Sequence, residues 1–135
     1  MISLHTTAVI AILNEKESRV NRRFESALRN GEQVAVSSVV LHELYFGSSK
    51  SQFRKRSTDR IREFVAGAVQ TLFFDARDAE EAGDIRATLA QAGTPIGPYD
   101  ILIAGQARCR NALLITANTR EFVRVAGLQV QDWTR

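Results

Sequence analysis

The sequence has few of the residues that cross-link a chain or interrupt its regular structure. Only one of its 135 residues is cysteine, two are proline and one is tryptophan. The lone Cys109 excludes an intramolecular disulfide, and no second cysteine or histidine stands near it at the spacing of a zinc site. A hydrophobic core must therefore hold the chain together, and its hydrophobic content of 44% is near the globular average.

Long apolar runs, linkers and repeats are also absent. The apolar run from Ala8 to Leu13 is far too short to span a bilayer, and the start lacks the basic segment and cleavage site of a signal peptide. We therefore expect no membrane anchor and a cytoplasmic location. Because no tract rich in glycine, serine or proline divides the chain, residues 1–135 are predicted to form a single domain.

The basic residues are mostly arginine and are concentrated in one stretch, while the net charge is only +3. This stretch, from Lys50 to Arg62, contains Arg54, Arg56 and Arg60. The planar guanidinium group suits phosphate and carboxylate because it donates two parallel hydrogen bonds. Two interpretations stay open: a solvated helix face, and a surface that contacts nucleic acid or an acidic partner.

The hydrophobic pattern predicts strands that alternate with helices. Apolar, β-favouring runs predict strands at Ile2–Leu4, Val34–Val36, Thr71–Phe74 and Leu113–Ile115, with a further candidate at Leu128–Val130. Helical periodicity predicts helices over Ala8–Asn14, Ser18–Asn30, Ser38–Gly47, Gln52–Ala68, Ala76–Ala92 and Tyr99–Arg110. This alternation indicates an α/β fold with a mostly parallel sheet covered on both faces, whose functional groups lie beyond the carboxyl ends of the strands.

Two carboxylates occupy helix positions that the apolar pattern assigns to the interior. In "SSVVLHELYFGSS", Glu43 shares an apolar helical face with Val36, Val39 and Val40, and in "GPYDILIAGQA", Asp100 lies over an apolar stripe in the first turn. Glu43 could instead form a buried ion pair with an arginine, and Asp100 could simply complement the helix dipole. A divalent cation bound between two such carboxylates is one way to offset the energetic cost of burying them.

Polar residues follow two of the predicted strands at the same edge of the sheet. Thr116 and Asn118 follow the strand in "ALLITAN", and His5, Thr6 and Thr7 follow the first strand in "MISLHTT". Asn118 or the next residue could be no more than a helix N-cap. The alternative is that these residues join Glu43 and Asp100 in one site.

Taken together, these motifs resemble those of the PIN-domain ribonucleases, and closely those of the VapC toxins of bacterial toxin–antitoxin pairs. The resemblance rests on "SSVVLHELYFG", "GTPIGPYDILIAGQA", "LLITANTREF" and "GLQVQDW", and extends over nearly the whole chain. It implies a three-layer α/β/α domain whose acidic residues hold one or two Mg²⁺ or Mn²⁺ ions and cleave RNA. By motif, Glu43, Asp100 and Asn118 match metal-site positions, and Thr6, Thr7 and Thr116 match supporting hydroxyl positions.

The first strand departs from the family pattern. The resemblance implies Asp-Thr-Asn or Asp-Thr-Ser after this strand, whereas the sequence has His5, Thr6 and Thr7. An imidazole removes both an oxygen ligand and a negative charge, and Mg²⁺ prefers oxygen. We therefore expect lost or severely reduced cleavage, with weak Mn²⁺-dependent activity as the alternative. Both an inactivating change in a working parent and a naturally degenerate member would explain His5.

The resemblance also implies partners. These are an RNA substrate, with tRNA among the candidates, a VapB-type antitoxin that covers the active-site groove, operator DNA bound only through that antitoxin, and a second copy in a homodimer. A non-catalytic module that binds antitoxin or RNA is the main alternative. A phosphoacceptor receiver-like domain is disfavoured because it requires an acidic pair after the first strand, where the sequence has His5 and Thr6.

Overall fold

The computed structural model describes residues 1–135 and contains one all-parallel sheet flanked by helices. The strands are β1 (Ile2–Leu4), β2 (Val34–Ser37), β3 (Gln70–Leu72), β4 (Leu113–Ile115) and β5 (Gln129–Gln131), in the order β3-β2-β1-β4-β5. The helices are α1 (Thr6–Asn14), α2 (Arg19–Arg29), α3 (Ser38–Ser49), α4 (Arg54–Ala66), α5 (Ala76–Gln91), α6 (Pro98–Cys109) and α7 (Thr119–Phe122). The predicted α/β class and the parallel sheet are confirmed.

The centre of the sheet is covered on both faces. Successive side chains of a strand point to opposite faces, and all three residues of β1 are buried, including Leu4, which has no exposed surface. Val36 of β2 and Leu114 of β4 are equally enclosed. None of the helices combines the length and the apolar character that crossing a membrane requires.

The structure corrects the end of the third strand and the helical face predicted for Glu43. The third strand was predicted over Thr71–Phe74 but ends at Leu72, because its partner strand β2 ends at Ser37, with which Leu72 pairs. Phe73 consequently lies outside the sheet with 74% of its surface exposed. Val36 belongs to β2, so it does not share a helical face with Glu43; α3 begins only at Ser38, after the Ser37 side chain accepts a hydrogen bond from Val39 N–H.

Helix α6, which carries Asp100, packs closely against α5 because both helices have small residues at their contact. A Cβ atom built on Gly105 of α6 would lie 2.6 Å from Cβ and 2.7 Å from Cα of Ala82 on α5. Such distances leave no room for a methyl group unless one helix moves. The position of α6, and therefore of Asp100, depends on glycine at position 105.

We predict that Gly105→Ala lowers the free energy of unfolding by about 1–3 kcal/mol, the usual cost of overpacking a core. The matched control is Gly83→Ala in the partner helix α5, where an added Cβ meets no atom within 4 Å. In the control, the free energy of unfolding should rise by about 0.5–1 kcal/mol because alanine has a better helix propensity than glycine. Urea unfolding of the three proteins measures both effects, and equal stability of the two variants would contradict the close packing.

A buried carboxylate links α5, α6 and the segment after it. Asp78 has no exposed surface, and its Oδ2 accepts hydrogen bonds from Arg110 at 2.9 Å, from Gln106 at 3.2 Å and from the backbone N–H of Asp75 at 3.0 Å. Burial by itself would raise the pKa of Asp78, but these hydrogen bonds outweigh it, so the pKa lies below its ordinary value. The ionised carboxylate is therefore the form that the fold stabilises.

We predict that Asp78→Asn destabilises the fold by about 2–4 kcal/mol at neutral pH, since it leaves the charge of Arg110 without its buried partner. Because the folded-state pKa is lowered, the contribution is complete above the unfolded-state pKa of about 4 and disappears as the pH falls through the lower, folded-state value. Urea unfolding from neutral pH down to about pH 3 should therefore show the two proteins converging only below about pH 4. Asp59→Asn, which removes the exposed ion pair with Lys55, is the control and should leave stability nearly unchanged, because solvent and salt screen that pair.

Candidate active site

Three titratable side chains meet beyond the carboxyl end of β1. One ligand atom each from His5, Glu43 and Asp100 lies within 4.8 Å of the other two. His5 immediately follows β1, Glu43 lies in the second turn of α3, and Asp100 lies in the first turn of α6. The predicted convergence of these three residues is therefore present in the geometry.

The backbone of His5 is held by the sheet. Its N–H donates to the carbonyl of Ile115 at 2.9 Å, so the residue continues the pairing between β1 and β4. Its carbonyl accepts from the N–H groups of Ala8 and Val9, which makes His5 the residue that caps the start of α1. The side chain is thereby directed into the crevice and is buried, with 6% of its surface exposed.

Both ring nitrogens of His5 have polar partners. Nε2 lies 2.9 Å from Oδ1 of Asp100, and Nδ1 lies 2.9 Å from Oγ1 of Thr116. Because Oγ1 of Thr116 already accepts from the N–H of Asn118, its own proton is free to be donated to Nδ1. The tautomer protonated at Nε2 satisfies both contacts, because Nε2–H then donates to Asp100 and Nδ1 accepts from Thr116.

An aromatic contact further restricts the His5 ring. Phe122 of α7, which has no exposed surface, packs edge-on against the imidazole with 5.0 Å between the ring centroids and an interplanar angle of 74°. Sequence patterns did not identify this contact, because α7 has only four residues and the approach of the two rings is set by the packing of α7 against β5.

The three predicted threonines lie at the site. The hydroxyl of Thr6 donates to Oε1 of Glu43 at 3.0 Å, and the hydroxyl oxygen of Thr7 accepts from the N–H of Ala117 at 3.0 Å. Thr116 is buried and contacts His5 as described above. Thr6 thus fixes the carboxylate of Glu43, while Thr7 and Thr116 tie the end of β1 to the end of β4.

Asn118 points its amide group toward a neighbour that the sequence analysis did not identify. Its Nδ2 donates to Oε2 of Glu121 at 3.2 Å, and its side chain makes no capping bond to the start of α7. Asn118 therefore stands at the N-cap position of α7, as the N-cap interpretation predicts, but its side chain does not cap the helix. The spacing of Asn118 and Glu121, three residues apart at a helix start, is the signal that could have indicated Glu121. A role for Asn118 in holding a metal ion stays a prediction.

The carboxylates of the site have no basic side chain to neutralise them other than His5. No lysine or arginine nitrogen lies within 4 Å of the Glu43 or Asp100 carboxylate, so the proposed ion pair of Glu43 with an arginine is not formed. The Asp100 side chain is only 18% exposed. Two partly buried carboxylates in this state attract a cation.

The side chains present fit a divalent ion that accepts both oxygen and nitrogen. Two carboxylates and one imidazole match Mn²⁺ better than Mg²⁺, which prefers an all-oxygen shell. The fit has a cost, because Nε2 of His5 carries the proton that it donates to Asp100. That proton must leave before Nε2 can bind an ion, so a metal at this site competes with the His5–Asp100 hydrogen bond.

We predict that His5→Asp makes thermal stability depend on Mn²⁺. In EDTA the variant should melt below the unchanged protein, because a third carboxylate replaces the hydrogen bond between His5 and Asp100. Mn²⁺ at about 100 times its dissociation constant should then add about 2.7 kcal/mol of stability to the variant and little to the unchanged protein. Differential scanning fluorimetry measures the shift.

The matched control is His42→Asp, since His42 is exposed on the same helix as Glu43. This control should melt at the same temperature with and without Mn²⁺. Equal Mn²⁺ stabilisation of the unchanged protein and the His5→Asp variant would show that His5 does not obstruct the ion.

Comparison with known proteins gives a consistent result. The model of the PIN domain family matches residues 2–128. A protein named tRNA(fMet)-specific endonuclease VapC from Shigella flexneri is 43% identical over 131 residues, covering 97% of this chain and 96% of its own length. A protein of the same name from Salmonella typhimurium is 36% identical over 130 residues, with 96% of each chain covered.

Solved structures show the same similarity. VapBC2 from Rickettsia felis, bound to a DNA fragment from its promoter, aligns with a TM-score of 0.91 and 32% identity, covering 98% of this chain and 99% of the other. DNA-bound VapBC from Salmonella typhimurium aligns with a TM-score of 0.89 and 36% identity over the same shares. The chain therefore belongs to the PIN-domain family, and within it to the VapC ribonucleases.

Proposed function

We propose that this chain is the toxin component of a VapBC-type toxin–antitoxin pair, built as a metal-dependent endoribonuclease whose cleavage is suppressed by His5. The single observation that carries the proposal is the meeting of His5, Glu43 and Asp100 within 4.8 Å at the carboxyl edge of the parallel sheet. Relatives named as VapC ribonucleases, similar over nearly their whole length, support the same reaction class.

The acids would act by holding a cation where RNA reacts. A bound divalent ion supplies Lewis-acid activation of water and neutralises charge that develops on the phosphate. Glu43 and Asp100 would hold that ion, with Asn118 helping to position it. Thr6 keeps Oε1 of Glu43 in place through the 3.0 Å hydrogen bond, so the carboxylate need not reorganise when RNA binds.

His5 would suppress this reaction in two ways. It withdraws Oδ1 of Asp100 into a hydrogen bond, and it replaces the aspartate of the family with a ring that carries no negative charge.

The partners follow from the same relatives. Two of them are named as specific for tRNA(fMet), so tRNA is the first RNA to test. Solved relatives are VapBC complexes, some bound to DNA, so we propose a VapB-type antitoxin that covers the site and connects the chain to operator DNA. We further propose a homodimer that acts in the cytoplasm, where its RNA substrate is found.

A second candidate function is a non-catalytic module that binds antitoxin or RNA. The specific observation in its favour is the hydrogen bond between His5 and Asp100, which satisfies both groups without an ion. The module and the ribonuclease differ in whether metal restores cleavage, so one assay separates them.

We predict that His5→Asp restores cleavage of tRNA and total bacterial RNA in Mn²⁺ or Mg²⁺, by more than about 100-fold over the unchanged chain, because it restores a ligand. Adding Asp100→Asn to that variant should abolish cleavage again. Gel electrophoresis of the RNA, with EDTA as the metal-free control, measures the result.

Two outcomes would contradict the proposal. If the His5→Asp variant binds Mn²⁺ but leaves RNA uncut, the non-catalytic module is correct. If the unchanged chain cuts as fast as the variant, His5 does not suppress the reaction, and the site must depend on Glu43 and Asp100 alone.

A further inference from the structure

A cleft extends from the active site toward helix α4. It has a volume of about 250 Å³, and its only charged lining residues are Glu43 of the active site and Arg60 of α4. Polar groups between them include Ser51, Ser57 and Asn14. The cleft therefore joins the metal-site carboxylate to a single guanidinium group.

Arg60 is poorly neutralised for a half-buried arginine. Its Nη1 donates to Oδ1 of Asn14 at 3.1 Å, and no carboxylate lies within 4 Å of its nitrogens. The partly buried Arg108 and Arg110, in contrast, each pair with two carboxylates. A guanidinium group has five N–H donors, so most donors of Arg60 remain available to a ligand.

The surrounding charges on α4 raise the cost of this arrangement. Arg56 lies one helical turn before Arg60, and like charges at this spacing destabilise a helix. The first turn of α4 is Arg54, Lys55 and Arg56, with no acid and no side-chain cap, so its charges oppose the helix dipole. An anion bound at Arg60 would offset the repulsion between Arg56 and Arg60.

We infer that Arg60 binds a backbone phosphate of the RNA strand next to the phosphate that is cleaved, and so positions the strand over Glu43 and Asp100. This inference rests on the proposed ribonuclease function. Arginine suits this role because its planar fork donates two parallel hydrogen bonds to phosphate oxygens. Asn14 holds one edge of the guanidinium group and leaves the rest of it free to face the cleft.

RNA suits the cleft better than an acidic peptide does. The scissile phosphate must lie at Glu43 and Asp100, and the chain of an RNA continues from it with one negative charge per nucleotide. Arg60 lies in the same cleft, where it can pair with the charge of the next phosphate. The serine hydroxyls that line the cleft can donate to phosphate oxygens. Binding of an acidic antitoxin segment at Arg60 is the competing outcome.

The test compares Arg60→Gln with Arg62→Gln. Both remove one positive charge from α4, but Arg62 is exposed and lines neither this cleft nor the adjoining one. The measurement is binding of a short fluorescent single-stranded RNA by the intact chain with His5 present, so that cleavage does not interfere, over a series of salt concentrations.

We expect Arg60→Gln to weaken binding about 10-fold and to reduce the salt slope by about 0.7, which corresponds to one lost contact with single-stranded RNA. Arg62→Gln should change both values much less. An RNA in which one linkage at a time is a neutral methylphosphonate should contain one position whose neutralisation weakens the unchanged protein but not the Arg60→Gln variant.

Several results would overturn the inference. If the two variants weaken RNA binding equally, Arg60 contributes only as general surface charge. If Arg60→Gln weakens antitoxin binding alone, the cleft binds that partner. Both leave the ribonuclease proposal intact. If the unchanged protein binds no RNA in any metal, the proposed function fails and this inference fails with it. Thermal melting of both variants confirms that each is folded.

Discussion

The position of β1 at the centre of the parallel sheet determines where the site forms. Its residues pair with β2 on one side and with β4 on the other, with Ile2 opposite both Val34 and Leu113. The chain leaves the sheet after β1, β2 and β4 at one edge, and the segments that follow carry Thr6, Glu43 and Thr116. Parallel pairing thus brings together side chains that are far apart in sequence.

Much of this arrangement could be predicted from the sequence, because it depends on local patterns. Apolar runs located the strands, and Asp75 forms the capping box that starts α5. The end of β3 could not be predicted, because it is set by Ser37 on the neighbouring strand. The Asp78 network also escaped prediction, since it depends on groups that only the folded chain brings together.

His5 changes the balance between stability and reactivity at the site. An aspartate there would place three carboxylates together, and the repulsion would be relieved only by a bound cation. His5 instead donates a proton to Asp100 and receives one from Thr116, so the site is satisfied without an ion. Under the proposed function, the hydrogen bond that stabilises the metal-free site also lowers its affinity for a cation.

The arginines, like the carboxylates, divide into those that form ion pairs within the fold and those that do not. Arg108 and Arg110 are neutralised by the acids of α5 and its cap, and they contribute to packing. Arg60 and Glu43 form no ion pair, and both line the cleft next to the active site. Under the proposed function, Glu43 would help to hold a cation at the reacting phosphate, and Arg60 would bind the neighbouring phosphate in the same cleft, which a uniformly basic surface would not do.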